Sequence, residues 1–426
     1  MKRKNLILLS FVIITALIVF ALCSCGGKNT ESRFGDFLYT VADKKVTITG
    51  YIGSEVHLTV PESIKDMPVV AISDDAFANS STLKTVAIPD SVERIGRHAF
   101  DECSNLEKVT LGKGIKEIDF SVFYRCNKLQ YNEYENGCYI GNDENPYMAL
   151  VCMANEHVEH VKIHPDTVVI CGSAMDGCYL VRKIEIPEGV VSIGGYAMKG
   201  CSALEKVYMP ASVEFINNSI FDYCDNLHEI IVADDNRSYK AVDGHLFSYD
   251  GSRLIKYATA QEKTSYRVPD GTVIIESDAF RNAKNLNEVI FPDSLEEIGH
   301  MAFIDCENIK TISFGNGLKT IDGAAFSSCK SITELILPDS VEKVSYSAFS
   351  YCESLEKVVI GNGAALVENG VFKGCTALKE VVFKDTAKWS VRGMYWLFSK
   401  KIDVSDPSKN AENLTGEYCE LYLIKN

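Results

Sequence analysis

A repeat solenoid built from short strands is the fold class this sequence predicts, and three observations predict it. Eleven large side chains recur in three runs, spaced 23 residues apart within each run: Phe77, Phe100 and Phe123; Met175, Met198 and Phe221; Phe280, Phe303, Phe326, Phe349 and Phe372. An aliphatic residue stands five places before each of these anchors, from Ile72 to Val367, and another six places after, from Leu83 to Leu378. Nine to eleven places after the anchor, buried-type residues alternate with the residue between them, as in Val86-Ala87-Ile88 and Val109-Thr110-Leu111. A fixed period of this length marks a stack of coils, each of which buries its apolar face only against its neighbours.

Within one coil the elements follow in order. The alternating stretch has period two and reads as a strand with one buried face. Pro89, Pro187, Pro210, Pro292 and Pro338, or Gly112, Gly315 and Gly361, end it at once. A second β-branched stretch, such as Ser340-Val341-Glu342-Lys343-Val344, leads to the next anchor, which fills the centre of the coil. Neighbouring strands stack about 4.8 Å apart, so eleven regular coils with the irregular ones make a rod of roughly 60 Å. Burying one Phe or Leu contributes about 1.5–3 kcal/mol, and the term repeats with every coil.

Segments such as Leu83-Lys84-Thr85-Val86-Ala87-Ile88-Pro89-Asp90-Ser91-Val92-Glu93-Arg94-Ile95-Gly96-Arg97-His98-Ala99-Phe100-Asp101-Glu102-Cys103 resemble the BspA-like (type-5) leucine-rich repeats of bacterial surface lipoproteins. The resemblance covers nearly all of residues 34–426. It implies a leucine-rich repeat solenoid with 23-residue coils, mainly short parallel β-strands, and a cap at each end. The stretch around Phe37-Leu38-Tyr39-Thr40-Val41 and Val46-Thr47-Ile48-Thr49-Gly50-Tyr51 looks like that family's N-terminal cap, placed at 34–72. The array itself runs over 73–383, and residues 384–426 are the expected C-terminal cap. Adhesion, host-protein binding and surface display are what the resemblance implies for function, less specifically than it implies the fold.

The N-terminus carries its own signal. Lys2-Arg3-Lys4 precedes an apolar run over 6–22, and Leu22-Cys23-Ser24-Cys25 then offers small residues before a cysteine. That order reads as an export leader over 1–24, with a polar tether over 25–33. The four residues also resemble a bacterial lipobox, which implies lipidation of Cys25; two or three acyl chains, at about 0.8 kcal/mol per buried CH₂, anchor stably. An uncleaved anchor over the 17 residues 6–22 and ordinary secretion are the alternatives. All three place the array outside the cytoplasm, as a lipid-anchored protein on the extracellular face of a bacterial membrane in the first case.

Net charge is −15, and removal of Lys2, Arg3 and Lys4 takes it to −18. A surface this acidic repels phosphate backbones, and no basic stripe reverses it, so nucleic acid is not an expected partner. Nine of the fifteen cysteines stand three places after an anchor: Cys103, Cys126, Cys178, Cys201, Cys224, Cys306, Cys329, Cys352 and Cys375. Ser80 and Ala283 share the column, so it wants a small buried residue rather than a disulfide or metal framework. No CxxC pair exists in the repeats.

Two inserts, at 131–167 and 236–271, interrupt the period and resemble each other. Gly137-Cys138-Tyr139-Ile140 matches Gly244-His245-Leu246-Phe247, and Pro165-Asp166 matches Pro269-Asp270. Asn136-Gly137, Asp243-Gly244 and Asp250-Gly251 are turn dipeptides, which predicts hairpins.

Candidate chemistry is thin. His157, His160 and His164 lie close in sequence, but a strand would put His157 on the opposite face from the others, and an exposed polar strand is the simpler reading than a metal site. The turns Gly141-Asn142-Asp143-Glu144-Asn145 and Asp234-Asp235-Asn236 lack the ordered ligand spacing of a calcium loop. No nucleophile elbow, HExxH, Walker or dinucleotide motif occurs, so neither enzyme activity, a metal nor a cofactor is expected.

The outward column of the strands, ten places after the anchor, turns aliphatic in the last block: Ile290, Ser313, Ile336, Val359 and Val382. At strand spacing this predicts a nearly apolar stripe about 20 Å long. Glu288, Thr311, Glu334, Lys357 and Glu380 rim it, as charge rims an interaction surface. Strand preference alone also explains β-branched residues there, and the tail with Trp389 and Trp396 could fold over the stripe instead of capping the core. The sequence therefore predicts a lipid-anchored array that binds extracellular proteins or glycans, with a structural spacer or scaffold at the cell envelope as the alternative.

Overall fold

The computed structural model describes residues 31–217, 219–386, 389–393 and 399–425. The expected export leader, Cys23, Cys25 and Trp396 lie outside the described residues. Each coil contributes one strand of two residues and one of three or four, for example Arg94–Ile95 and Lys108–Thr110. The β-branched stretch over 340–344 forms a strand only at Lys343–Val344. Short strands stack in parallel, aligning Ile72, Ile95 and Ile118 in one block and Ile275, Ile298, Ile321, Val344 and Val367 in another. The longer strands stack in a second set of parallel sheets, pairing Val86 with Val109 and Ile184 with Val207.

A third ladder runs along the turn that holds the anchor. Asp75, Phe77 and Asn79 donate their N–H groups to the carbonyls of Arg97, Ala99 and Asp101 in the next coil, at 2.8–2.9 Å. Alternate residues can all point along the axis because those two places before and two places after the anchor are left-handed: His98 (φ 54°) and Glu102 (φ 55°), or Ser347 (φ 54°) and Tyr351 (φ 57°). Such a backbone costs an ordinary residue roughly 1–2 kcal/mol, offset here by the hydrogen bonds it aims.

Anchor rings stack face to face. Phe280, Phe303, Phe326, Phe349 and Phe372 follow at centroid separations of 4.3, 4.9, 5.3 and 6.2 Å. The cysteine column packs beside them, fully buried. Cys103, Cys329 and Cys375 donate Sγ–H to the carbonyls of Phe77, Phe303 and Phe349 in the preceding coil, at 3.1–3.2 Å. A small side chain with a weak donor satisfies a carbonyl there that an alanine would leave to other partners.

The inserts are antiparallel meanders. Asn132–Tyr134, Gly137–Ile140 and Ala149–Met153 form the first, Tyr239–Val242, His245–Ser248 and Arg253–Lys256 the second, and the last strand of each pairs in parallel with the following coil. The second hairpin turns on Asp243 and Gly244, both left-handed at φ 53° and 81°. The first turns at Glu135 and Asn136, one residue ahead of the Asn136-Gly137 dipeptide. The apolar core divides into three clusters that meet at the inserts.

Both ends carry antiparallel strands. Lys45–Tyr51 pairs antiparallel with Phe37–Ala42 and parallel with Met67–Ile72. At the other end Tyr422–Lys425 pairs with Leu366–Val367 and with Trp389–Arg392. A helix over Pro407–Thr415, capped by Asp406, packs on the strand Glu380–Phe383, where Asn410 donates to the Val381 carbonyl at 2.9 Å.

Candidate functional site

Strand alternation alone carries the predicted site residues. In most coils the inward neighbours, such as Leu335 and Leu337 beside Ile336, are buried and fix the middle residue outward. Ile336 is 55 % exposed, Ser313 is exposed, and Ile290, Val359 and Val382 are half-buried. The register aligns Ile336, Val359 and Val382 in one row and Ile290 with Ser313 in another.

These are two rows, which corrects the single stripe. The sheet of Ser265–Arg267, Glu288–Ile290 and Thr311–Ser313 ends there, and Glu334–Ile336, Lys357–Ile360 and Glu380–Phe383 form a separate sheet. Among the described residues no ladder pairing joins Thr311–Ser313 to Glu334–Ile336, although Thr320–Ile321 and Lys343–Val344 remain paired on the other side of the same coils. The break coincides with a change in the core column eleven places after the anchor. Phe291 and Phe314 stack there at 5.7 Å, where other coils place Leu337 or Ile360, and Ile312 and Phe314 ride half-buried. The contiguous apolar row is therefore Ile336, Val359 and Val382, about 10 Å long at strand spacing. The other row starts with Arg267, opposite Ile290.

The charged rim is engaged with itself. Lys357 and Glu334 form an ion pair at 2.9 Å, and that contact holds the Lys357 ammonium above its ordinary range. Ser265 donates to Glu288 at 2.7 Å, and Glu380 faces Lys357 in register. The pattern repeats over the molecule at a separation of one period: Lys84–Glu107, Glu93–Lys116, Arg182–Glu205, Glu296–Lys319 and Glu356–Lys379 are all paired at 2.8–3.3 Å.

The histidines do not sit on a strand: residues 155–164 are irregular, which corrects the face argument. His164 stacks on Tyr147 at 3.9 Å and meets Tyr134 edge-on, while His157 packs against Tyr179. Asn142 accepts from the N–H groups of Glu144 and Asn145 and so closes its own turn. Among the described residues no group of three or more His, Cys, Asp or Glu side chains is placed to hold a metal ion.

The junctions hold polar groups that the sequence reading missed. At the second, Arg281 lies between Asp222 (3.4 Å) and Asp278 (3.1 Å) and donates to the Tyr223 hydroxyl at 2.8 Å. Lys256, buried, donates to the Asp278 carbonyl at 3.1 Å, and its burial lowers its pKa. Burial pushes the Asp222 carboxyl up. At the first junction, Arg94 and Glu117 face Phe215 and Asn217 across a cavity of about 430 Å³, with Phe215 54 % exposed. Asn217 donates to Glu117 at 3.4 Å, joining residues one hundred places apart. Only the similarity between the two inserts hinted that anything was held in common at these joints.

A family model for the BspA type leucine rich repeat region matches in six copies, over residues 58–144, 150–261 and 256–379. A leucine rich cell surface protein from Faecalibacterium prausnitzii A2-165 is similar in structure, with a TM-score of 0.52, 27 % identity, 84 % of this chain covered and 96 % of that one. The pneumococcal vaccine antigen PcpA gives 0.48, 21 %, 84 % and 88 %. A leucine-rich repeat protein from Eubacterium ventriosum ATCC 27560 gives 0.44, 19 %, 81 % and 88 %. No curated protein matches the chain. The matched coils span most of the array, and the chain belongs to the BspA type leucine-rich repeat family.

Proposed function

We propose that this chain is displayed at a bacterial cell surface, held by a lipid on Cys25, and that it binds extracellular proteins or glycans in adhesion. The row Ile336, Val359 and Val382 carries the reading. An isoleucine 55 % exposed between two buried leucines, in line with two more aliphatic residues, is apolar surface that folding leaves open. The likeness to a leucine rich cell surface protein and the leader-like N-terminus support the location. Among the described residues no helix is long and apolar enough to cross a membrane. A solenoid face of this kind works by binding rather than by turnover.

The test is binding of the purified chain to immobilised matrix proteins, mucins and glycans, beside the variant Ile336→Asp, Val359→Asp. Saturable binding that the folded variant loses supports the reading; binding that the variant keeps moves the site off this row. The self-paired charges along the axis favour a second reading, a surface spacer whose outward groups are already satisfied. Absence of binding to every immobilised partner would select it.

A further inference from the structure

Thirteen cysteines among the described residues are free, and all but Cys138, Cys152, Cys171 and Cys419 stand in the column three places after an anchor. Those nine lie buried in parallel coils, and eight of them turn Sγ to a carbonyl of the preceding coil at 3.0–3.3 Å. Parallel neighbours point their Cβ atoms the same way and aim poorly for a disulfide torsion. Cys138 and Cys152 differ in every respect. They stand directly opposite each other on antiparallel strands, Gly137–Ile140 and Ala149–Met153. Asn136 and Ala154, two residues further along the same register, are joined by an N–H to carbonyl bond of 2.8 Å, so alternation makes Cys138 and Cys152 a hydrogen-bonded pair as well. Such a pair has its Cα atoms about 5.5 Å apart, within the range a disulfide spans.

Directly opposite residues carry their side chains to the same face of the strand pair, so the two thiols are neighbours. A β-bulge follows immediately, between Cys138 and Tyr139, and gives that strand local freedom to adjust. Cys138 is 7 % exposed, but Cys152 is half-buried and lines a cavity of about 290 Å³ with Tyr131, Val151 and Gly172, which opens a route for a small reagent.

We propose that Cys138 and Cys152 are a built disulfide site, closed by exchange with a low-molecular-weight disulfide and stapling the first meander. The Cys152 thiolate attacks one sulfur of the reagent and expels a thiolate, leaving a mixed disulfide. The Cys138 thiolate then attacks the Cys152 sulfur and expels the second thiolate. The two cysteine protons end on the two departing thiols, and the two electrons lost by the pair reduce the reagent. The bond closes the strand pair that leads from the first block into the second, where Leu111 donates to the Gly141 carbonyl at 3.0 Å and Cys171 donates its N–H to Leu150 at 2.9 Å. The site stands on the thiol geometry and is independent of the adhesion reading, because the test supplies the oxidant.

The fully reduced chain is incubated with glutathione disulfide, quenched with N-ethylmaleimide, digested without reductant and analysed by mass spectrometry. The expected product links the peptides of Cys138 and Cys152, two mass units lighter than the reduced pair, while the columnar cysteines take up maleimide only after denaturation. In Cys138→Ser the reaction stops at a glutathione adduct on Cys152, which separates loss of the partner from loss of access. Circular dichroism of that variant confirms that it is folded. Linkage of Cys152 to Cys171, linkage within the column, or recovery of both thiols unlinked after Cys152 has reacted would each overturn the proposal.

Discussion

The regular coils from Phe280 to Phe372 and the second insert lie side by side in one molecule, yet they bury different chemistry. In the coils the core is a column of phenylalanines with aliphatic and cysteine neighbours, all fully buried. In the insert, His245 and Lys256 are buried as well, and Asp222, Asp278 and Arg281 close the joint to the preceding block. Where the period continues, each coil offers its neighbour the surface that neighbour was built to fit. Where it breaks, a meander meets a coil of different shape, and directional contacts fix the pairing. Buried charges contribute little net stability once their desolvation is counted, so the joint gains specificity more than strength.

The largest expected effect tests the regular half of this comparison. Phe326 is fully buried and stacked at 4.9 Å on Phe303 and 5.3 Å on Phe349. Phe326→Ala should cost about 3–5 kcal/mol, because the coil is held by two ladders to its Phe303 neighbour and by three to its Phe349 neighbour and cannot close over the void. Denaturant unfolding of the full chain measures it. A loss below about 1 kcal/mol would mean that the coils slide together to refill the column, and that the stack is less rigid than its ladders imply.

His245 probes the other half through pH. Its ring stacks on Tyr257 at 4.2 Å, its Nδ1 accepts the Ala258 N–H at 3.0 Å, and burial lowers its pKa to about 4. The proton of the neutral ring therefore sits on Nε2, and protonation at Nδ1 would break the Ala258 bond. In the unfolded chain the same group titrates near 6.5. Between those values the unfolded state binds the extra proton, so the neutral ring's contribution is complete above about pH 6.5 and is lost as pH falls toward 4. The loss amounts to about 3 kcal/mol over the window. His245→Gln cannot take up that proton, so its melting midpoint should fall less than the wild-type midpoint between pH 7 and pH 4.5. Parallel curves for the two proteins would show that the ring is not neutral and enclosed.

The two regions also differ in how much of them the sequence disclosed. Period, anchor, strand and outward column follow from apolar burial, which leaves a mark at every repeat; Ile336 could be placed on the outside from Leu335 and Leu337 alone. Tyr257 shows where that reading stopped short. It stands one period before Phe280, stacks on it at 4.7 Å and donates its N–H to Ala279, so the ring column enters the insert that interrupts the period. A tyrosine among turn residues did not announce an anchor, although counting back 23 residues from Phe280 finds it. The break between Ser313 and Ile336 was harder to see, because a ladder that lapses between two coils of the same period leaves the repeat itself unchanged. The contacts among Asp222, Lys256, Asp278 and Arg281 left no periodic trace, since they come from different coils and are each made once.

The smallest expected effect concerns the surface that both regions share. Glu296 and Lys319 sit one period apart, about half exposed, and pair at 2.8 Å, as do Glu93 and Lys116 at the equivalent positions of the first block at 3.2 Å. Such pairs are screened by solvent and salt and give up side-chain freedom to form. Glu296→Ala should therefore leave the melting midpoint where it was, at low salt and at high salt alike. Their bearing is on recognition. A lysine engaged along the axis is less available to an acidic partner, and a glutamate so engaged is less available to a basic one. An unchanged midpoint together with a changed salt dependence of partner binding would place these ladders in recognition. A clear drop in the midpoint would show that the charges hold the coils together, and would weaken the contrast between apolar coils and polar joints.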